Sequence, residues 1–178
     1  MNSKDEYGLT GLMKAIVRNK TATIHMLLRR CDIDINIGDS EGRCALHHAA
    51  WYDRGDIVTL LLADHRLSTV NMCCHDGGTP LLAAVDNNSI HSIKLLLEDS
   101  RISPNIQFEF PRCECPKCQM DIRTNPNQPG MTLTHGGSPL MWAVKRGLEE
   151  CVKILLPHPR VNIMTTDSFR RSQTEVDR

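Results

Sequence analysis

Apolar positions along the 178 residues recur at helical spacing, and the pattern itself repeats. A leucine-anchored stretch follows a small-residue turn four times: Gly8-Leu9-Thr10-Gly11-Leu12-Met13-Lys14-Ala15, Gly42-Arg43-Cys44-Ala45-Leu46-His47-His48-Ala49, Gly77-Gly78-Thr79-Pro80-Leu81-Leu82-Ala83-Ala84 and Gly136-Gly137-Ser138-Pro139-Leu140-Met141-Trp142-Ala143. The anchors Leu12, Leu46, Leu81 and Leu140 are separated by 34, 35 and 59 residues. The first two separations match a repeat of about 33 residues. The third is longer than one repeat by 25 residues, so it contains an insertion. Each copy continues to a second apolar run: Met26-Leu27-Leu28, Leu60-Leu61-Leu62, Leu95-Leu96-Leu97 and Ile154-Leu155-Leu156. Residues such as Ile90, Ile93, Leu96 and Leu97 fall on one helical face. Polar breakers, for example Asn87-Asn88 and Arg146-Gly147, divide each unit into two short helices. A short extended stretch ending in Asn follows in three copies, at Ile35-Asn36, Val70-Asn71 and Pro104-Asn105, whereas the fourth has Met164 there.

One such helix pair cannot bury its apolar stripe alone, but stacked neighbours share a continuous core. The pattern therefore predicts one buried row of Leu12, Leu46, Leu81 and Leu140. A second row, Ala15, Ala49, Ala84 and Ala143, is small enough for helices to approach closely, and the second-helix leucines line the back. Thr79 and Ser138 are placed to cap their helices, with Pro80 and Pro139 at the first helical position, where a missing N–H costs nothing. Cys44 holds the capping position of the second unit and is a poorer cap. Cys31 and Cys151 lie beside second helices and read as core or near-core thiols.

This arrangement resembles the ankyrin repeat family, over roughly residues 5–167 outside the insertion. The resemblance rests on the small-residue-Leu signature, the leucine run and the spaced Asn. Thr79-Pro80-Leu81 is the clearest copy, and His47 matches the signature histidine, whose imidazole the family bonds to turn backbone. The first unit departs from the pattern, with Gly11 where Pro is usual. The resemblance implies an all-α solenoid of stacked helix-turn-helix units, with repeats at about 5–37, 38–72, 73–106 and 135–166 inside a domain spanning 1–169. A fifth unit starts at Asp167-Ser168-Phe169 but lacks the turn glycine, and residues 170–178 read as a charged tail or the stub of a longer protein. It also implies a non-enzymatic interaction module that holds a protein partner in a concave groove of first helices and hairpin tips. The groove positions would be Val17 and Arg18, Trp51 and Tyr52, Asp86 and Asn87, and Lys145 and Arg146, joined by Trp142. Hairpin asparagines of the family can be hydroxylated, and Asn36, Asn71 and Asn105 match that position.

Composition narrows the picture. Lysine plus arginine and aspartate plus glutamate both number 21, so the formal charge is zero, which argues against a general nucleic-acid binder. No apolar run is long enough to span a bilayer, and the polar start lacks a signal-peptide core, so an intracellular setting, cytoplasmic or nuclear, without membrane contact is expected. Only 4% of residues are aromatic, yet Trp51 and Tyr52 sit side by side at positions expected to be exposed. Such residue types concentrate binding energy when a partner covers them. No phosphate loop or nucleophile elbow is present.

The insertion, about residues 108–134, is rich in proline and lacks a helical period, so it reads as loop. At its centre lies Cys113-Glu114-Cys115-Pro116-Lys117-Cys118. Three thiols in this spacing suit three corners of a zinc tetrahedron. His135 is the local candidate for the fourth ligand. Cys74 and His75, in the preceding hairpin, are the alternatives, because hairpin tips of stacked repeats are neighbours. A structural zinc is the leading expectation for this loop. A metal- or redox-responsive regulator built on the same cysteines is the rival, and a loop of free thiols or a cysteine pair such as Cys73 with Cys74 remain open.

Overall fold

The computed structural model describes residues 2–109 and 136–163. Its described residues form four helix pairs: α1 (Gly11–Val17) with α2 (Thr21–Leu28), α3 (Ala45–Trp51) with α4 (Gly55–Ala63), α5 (Pro80–Asp86) with α6 (Ile90–Glu98), and α7 (Pro139–Arg146) with α8 (Glu149–Leu155). The expected all-α ankyrin solenoid is the fold of these residues. One short ladder is added to it, β1 (Phe108–Glu109) antiparallel to β2 (Gly136–Gly137), pairing Phe108 with Gly137.

The helices form where the pattern puts them. Thr79 Oγ1 accepts from the Leu82 amide at 3.2 Å and Ser138 Oγ from the Met141 amide at 3.4 Å, each with Pro at the first helical position. In the second unit, Cys44 acts with His47. The Cys44 amide donates to His47 Nδ1 at 3.1 Å, which leaves Nε2–H to donate to the Gly78 carbonyl at 3.0 Å. The imidazole thus ties the start of α3 to the next repeat. The turn between first and second helices needs one left-handed residue, and four stand in register: Asn19, Asp53, Asn88 and Gly147. Asparagine, aspartate and glycine are the residue types that tolerate this conformation. In the hairpins, Gly8 has φ +74° and lies so close to Ser40 that a Cβ would meet its amide nitrogen.

Both small-spaced rows are buried. Leu12, Leu46, Leu81 and Leu140 expose 7% or less, and Ala15, Ala49, Ala84 and Ala143 lie between them in the same core. Leu61, Leu96 and Leu155 are fully buried behind. Cys151 is buried as expected, with its thiol 3.2 Å from Asn88 Oδ1. Cys31 departs from expectation. It is exposed, because it sits past the end of α2 in a turn closed by the flanking Arg30–Asp32 pair at 2.9 Å.

Helix ends are satisfied by the neighbouring repeat. Arg66 donates to the carbonyls of Leu28 and Arg30 at 2.7 and 2.6 Å, Arg101 to Leu62 at 2.6 Å, and Arg160 to Ser100 and Ile102 at 3.2 and 2.7 Å and also to Leu97. Each arginine therefore caps carbonyls that the preceding repeat's second helix leaves unpaired. Asp64 and Asp99 hold two of these arginines in place, and the Arg66 guanidinium lowers the Asp64 pKa to about 2.

A second ladder joins the hairpins. The side-chain amides of Asn2, Asn36, Asn71 and Asn105 donate to the carbonyls of Asp32, Arg66, Arg101 and Arg160, and their oxygens accept from the amides of Asp34, Ser68, Ser103 and Asn162. The Asn36 clamp spans 30 residues and the Asn105 clamp 55, a difference equal to the 25-residue insertion. The insertion therefore leaves the stacking register unchanged.

Candidate partner-binding groove

The first helices α1, α3, α5 and α7 carry the positions expected to face the groove. Trp51 and Tyr52, at the end of α3, expose 38% and 40% of their surface. Arg18, Asn87, Lys145 and Arg146 are exposed, while Val17, Asp86 and Trp142 are half-buried.

Part of the predicted set comes together. A cleft of about 220 Å³ is lined by Glu41, Arg43, His47, Trp51, Cys74, Asp76, Gly78, Leu82, Ala83, Asp86 and Trp142. Beside it, a recess of about 110 Å³ adds His48 and Tyr52. The chain has two tryptophans, and both line the cleft. Trp142 is fixed by its indole N–H, which donates to Asp86 Oδ1 at 2.8 Å, and Arg146 binds the same oxygen at 2.6 Å. Lys145 Nζ and the Arg146 guanidinium carbon lie 5.6 and 5.7 Å from the Trp142 ring centroid, within cation–π range. Asn87 is engaged differently. Its amide donates to the Trp51 carbonyl at 2.7 Å, and Ser89 donates to the same oxygen at 2.8 Å, so Asn87 holds the end of α3. Arg18 lies on α1's repeat and is not among the cleft residues.

Register explains why the cleft exists. In the first repeat Asp5 accepts from the Tyr7 and Leu9 amides and pairs with Lys14 at 2.9 Å. In the second, Asp39 accepts from the Glu41 and Arg43 amides, pairs with Arg43 at 3.2 Å, and lies 3.0 Å from His48 Nε2. In the third, the corresponding positions are Cys74, Gly78 and Ala83. Two small residues and a thiol stand where a carboxylate, a guanidinium and an imidazole fill the preceding repeat. Space opens there, between Trp51 of the second repeat and Trp142 of the fourth.

Electrostatics follow burial. Desolvation pushes the His47 pKa down to about 4, against the pull of the Gly78 carbonyl, so the ring is neutral at pH 7. Burial also lowers the His48 pKa, although Asp39 acts to raise it. Burial alone would raise the Asp39 pKa, but the Arg43 and Glu41 amides and the Arg43 guanidinium outweigh it and hold it below the usual range.

Of the residues expected in the groove, Trp51, Asp86 and Trp142 line one cleft, together with Glu41 and Asp76, which the sequence pattern does not single out. These acids stand 35 residues apart, in register on consecutive hairpin tips, and that spacing was a readable signal. The metal candidates divide. Cys113, Cys115, Cys118 and His135 lie outside the described residues. Cys74 is half-buried against the cleft, and the His75 ring packs over Gly42 while its amide donates to the Glu41 carbonyl at 2.8 Å. Cys73 and Cys74 are free thiols, and no group of three metal-ligating side chains occurs among the described residues. Asn36, Asn71 and Asn105 are the hairpin clamps described above. No described helix is long and apolar enough to cross a membrane.

A family model for ankyrin repeats in three copies matches residues 1–71, and a single-repeat model matches residues 76–108 and 135–168. Three relatives are similar over part of the chain. BTB/POZ domain-containing protein 1 of Schizosaccharomyces pombe is 32% identical over 97 residues, which is 52% of this chain and 7% of that protein. SMC5-SMC6 complex localization factor protein 1 of Homo sapiens is 35% identical over 92 residues, 51% of this chain and 8% of that protein. Ankyrin repeat protein nuc-2 of Neurospora crassa is 36% identical over 73 residues, 40% of this chain and 7% of that protein. The chain thus spans under a tenth of the length of these relatives, and what it shares with them is the repeat stack. With matches that take in every described helix pair and skip the insertion, the chain belongs to the ankyrin repeat family, whose stacked units are protein–protein interaction modules.

Proposed function

We propose that this chain holds a protein partner in the groove of α1, α3, α5 and α7, centred on Trp51 and Trp142. The observation that carries the reading is the position of the two tryptophans. Both line one cleft and neither is fully buried, although Trp142 also packs against the core, in a chain whose interior is built mainly from leucine, isoleucine, valine and alanine. Half-exposed tryptophan and tyrosine offer large contact area at small entropy cost, which suits a binding surface better than a solvated one. A capture experiment with the full chain tests this. Trp51→Ala/Tyr52→Ala should abolish recovery of the partner, while an exposed change on the back, Glu98→Ala, should leave it intact. Unchanged recovery with the groove variant moves the site elsewhere.

A structural zinc on the insertion is a second proposal, resting on the spacing of Cys113, Cys115 and Cys118 and favoured by the paired stem of β1 and β2, which brings the ends of the insertion together. A bound metal would brace a segment too short to form its own core. Metal analysis of the purified chain should find about one zinc, and a chelator should lower the melting temperature. Less than half an equivalent removes this proposal, and a chelator response without loss of stability favours the metal-responsive alternative.

Hydroxylation of Asn36, Asn71 or Asn105 is a third, family-derived proposal. Both ends of each amide are bonded across a hairpin, so modification would require local opening of the ladder. Mass spectrometry of the cellular protein should show the gain of one oxygen on a hairpin peptide, and its absence ends the proposal.

A further inference from the structure

We infer that the cleft between Trp51 and Trp142 receives one basic side chain, lysine or arginine, from an extended segment of the protein partner. The inference rests on the groove reading above and adds the chemistry of what the groove accepts.

Size sets the first limit. About 220 Å³ is below the range of small-molecule pockets and suits a single long side chain. Shape sets the second. Leu82, Ala83 and the two indoles offer apolar surface, against which the methylene stem of a lysine or arginine packs while its head stays near polar groups.

Charge decides among the long side chains. The lining contains three carboxylates, Glu41, Asp76 and Asp86, and one cation, Arg43. Arg43 is already engaged by Asp39 and by Glu41, the latter at 2.7 Å. Asp86 is satisfied by Arg146 and the Trp142 indole. His47 contributes no charge at neutral pH. Asp76 remains. It is exposed and forms no ion pair among the described residues. Lys145 and Arg146 already lie against the Trp142 ring, so an incoming cation would meet Asp76, the exposed Glu41 carboxylate that it would share with Arg43, and the Trp51 indole, where ring and carboxylates act in the same direction. An acidic side chain would face Asp76, unpaired among the described residues, beside Glu41 and Asp86, whose own cations are already engaged. An apolar one would take water from Asp76 without replacing its hydrogen bonds.

The two tryptophans also provide the readout, since any occupant of the cleft changes indole emission and no other tryptophan contributes. The test uses the full chain and an immobilised degenerate peptide library with one fixed central residue, scanned through all amino acids. Lysine or arginine at the fixed position should be retained at least about fivefold over leucine or glutamate, and the retained peptides should shift tryptophan emission. Glu41→Gln/Asp76→Asn, both at exposed side chains, should weaken those peptides by about five- to tenfold with unchanged helical circular dichroism. Selection of apolar or acidic residues, or basic selection that survives the double substitution, overturns the inference and leaves the groove reading standing. Absence of selection for any residue, with no change in emission, overturns both.

Discussion

The second and third repeats present the same register positions and use them in opposite ways. In the second, Asp39, Arg43 and His48 form a polar network that fills the space beneath the hairpin. In the third, Cys74, Gly78 and Ala83 leave that space open, and the tryptophans of the flanking repeats look onto it. The leucine row beneath is the same in both, with Leu46 at 0% exposure and Leu81 at 1%. Folding and the proposed binding are therefore written at different positions of the repeat. The buried anchors keep the stack in register, and substitution above them decides whether a repeat is packed shut or left with a cleft.

If the two repeats are equal below the surface, Leu46→Ala and Leu81→Ala should each cost about 3 to 4 kcal/mol, from lost transfer energy plus a cavity. Denaturant unfolding measures both, and a cost below 1 kcal/mol at either site would break the equivalence. Between pH 7 and 4, the buried histidines make acid act chiefly on the second repeat, whereas the lowered carboxylates Asp5 and Asp99 of its neighbours respond only at lower pH. The folded pKa of His47 is about 4 and its unfolded value about 6.5, so the unfolded chain binds the proton first. The contribution is full above pH 6.5 and is lost as pH falls toward 4, to a total of roughly 3 kcal/mol. His48 shifts in the same direction and adds to the loss. Melting temperatures across pH 7 to 4 should fall, and His47→Gln should flatten the profile while lowering stability at pH 7.

The polar network gives the sharper contrast. Asp39→Ala removes the acceptor for two backbone amides and two side chains and should cost about 2 to 3 kcal/mol, measured by urea denaturation. Cys74→Ala, at the matching place, should cost under about 1 kcal/mol. Transplanting the network should have the smallest effect on stability. Cys74→Asp with Gly78→Arg and Ala83→His should change it by no more than about 1 kcal/mol and should close the cleft, so that added partner no longer changes tryptophan emission.

Much of this was legible in the sequence. The leucine and alanine rows, the Thr79 and Ser138 caps and the exposed Trp51-Tyr52 pair follow from residue type and spacing, which local physics fixes. The cross-repeat hydrogen bonds were not legible, because each half of them reads as something ordinary. Arg66, Arg101 and Arg160 look like solvated charges until the carbonyls of the preceding helix are placed beside them. Asn2 lies ahead of the first recognisable repeat and still clamps Asp32 and Asp34 like its three successors. Cys31 was misjudged because its distance from the helix end, not its apolar character, sets its exposure. The cleft itself is a missing network, and an absence becomes visible only when repeats are aligned position by position.

The stem formed by β1 and β2 has a consequence for how the chain tolerates change. Because Phe108 is paired with Gly137, the path between them begins and ends at one spot, and the geometry of the fourth unit is set by its own stem and by Asn105. Lengthening such a closed excursion costs only a logarithmic penalty, about 0.6 kcal/mol per doubling. The site is a natural splice point, where foreign sequence could be grafted between two ankyrin units without altering the pitch of the solenoid.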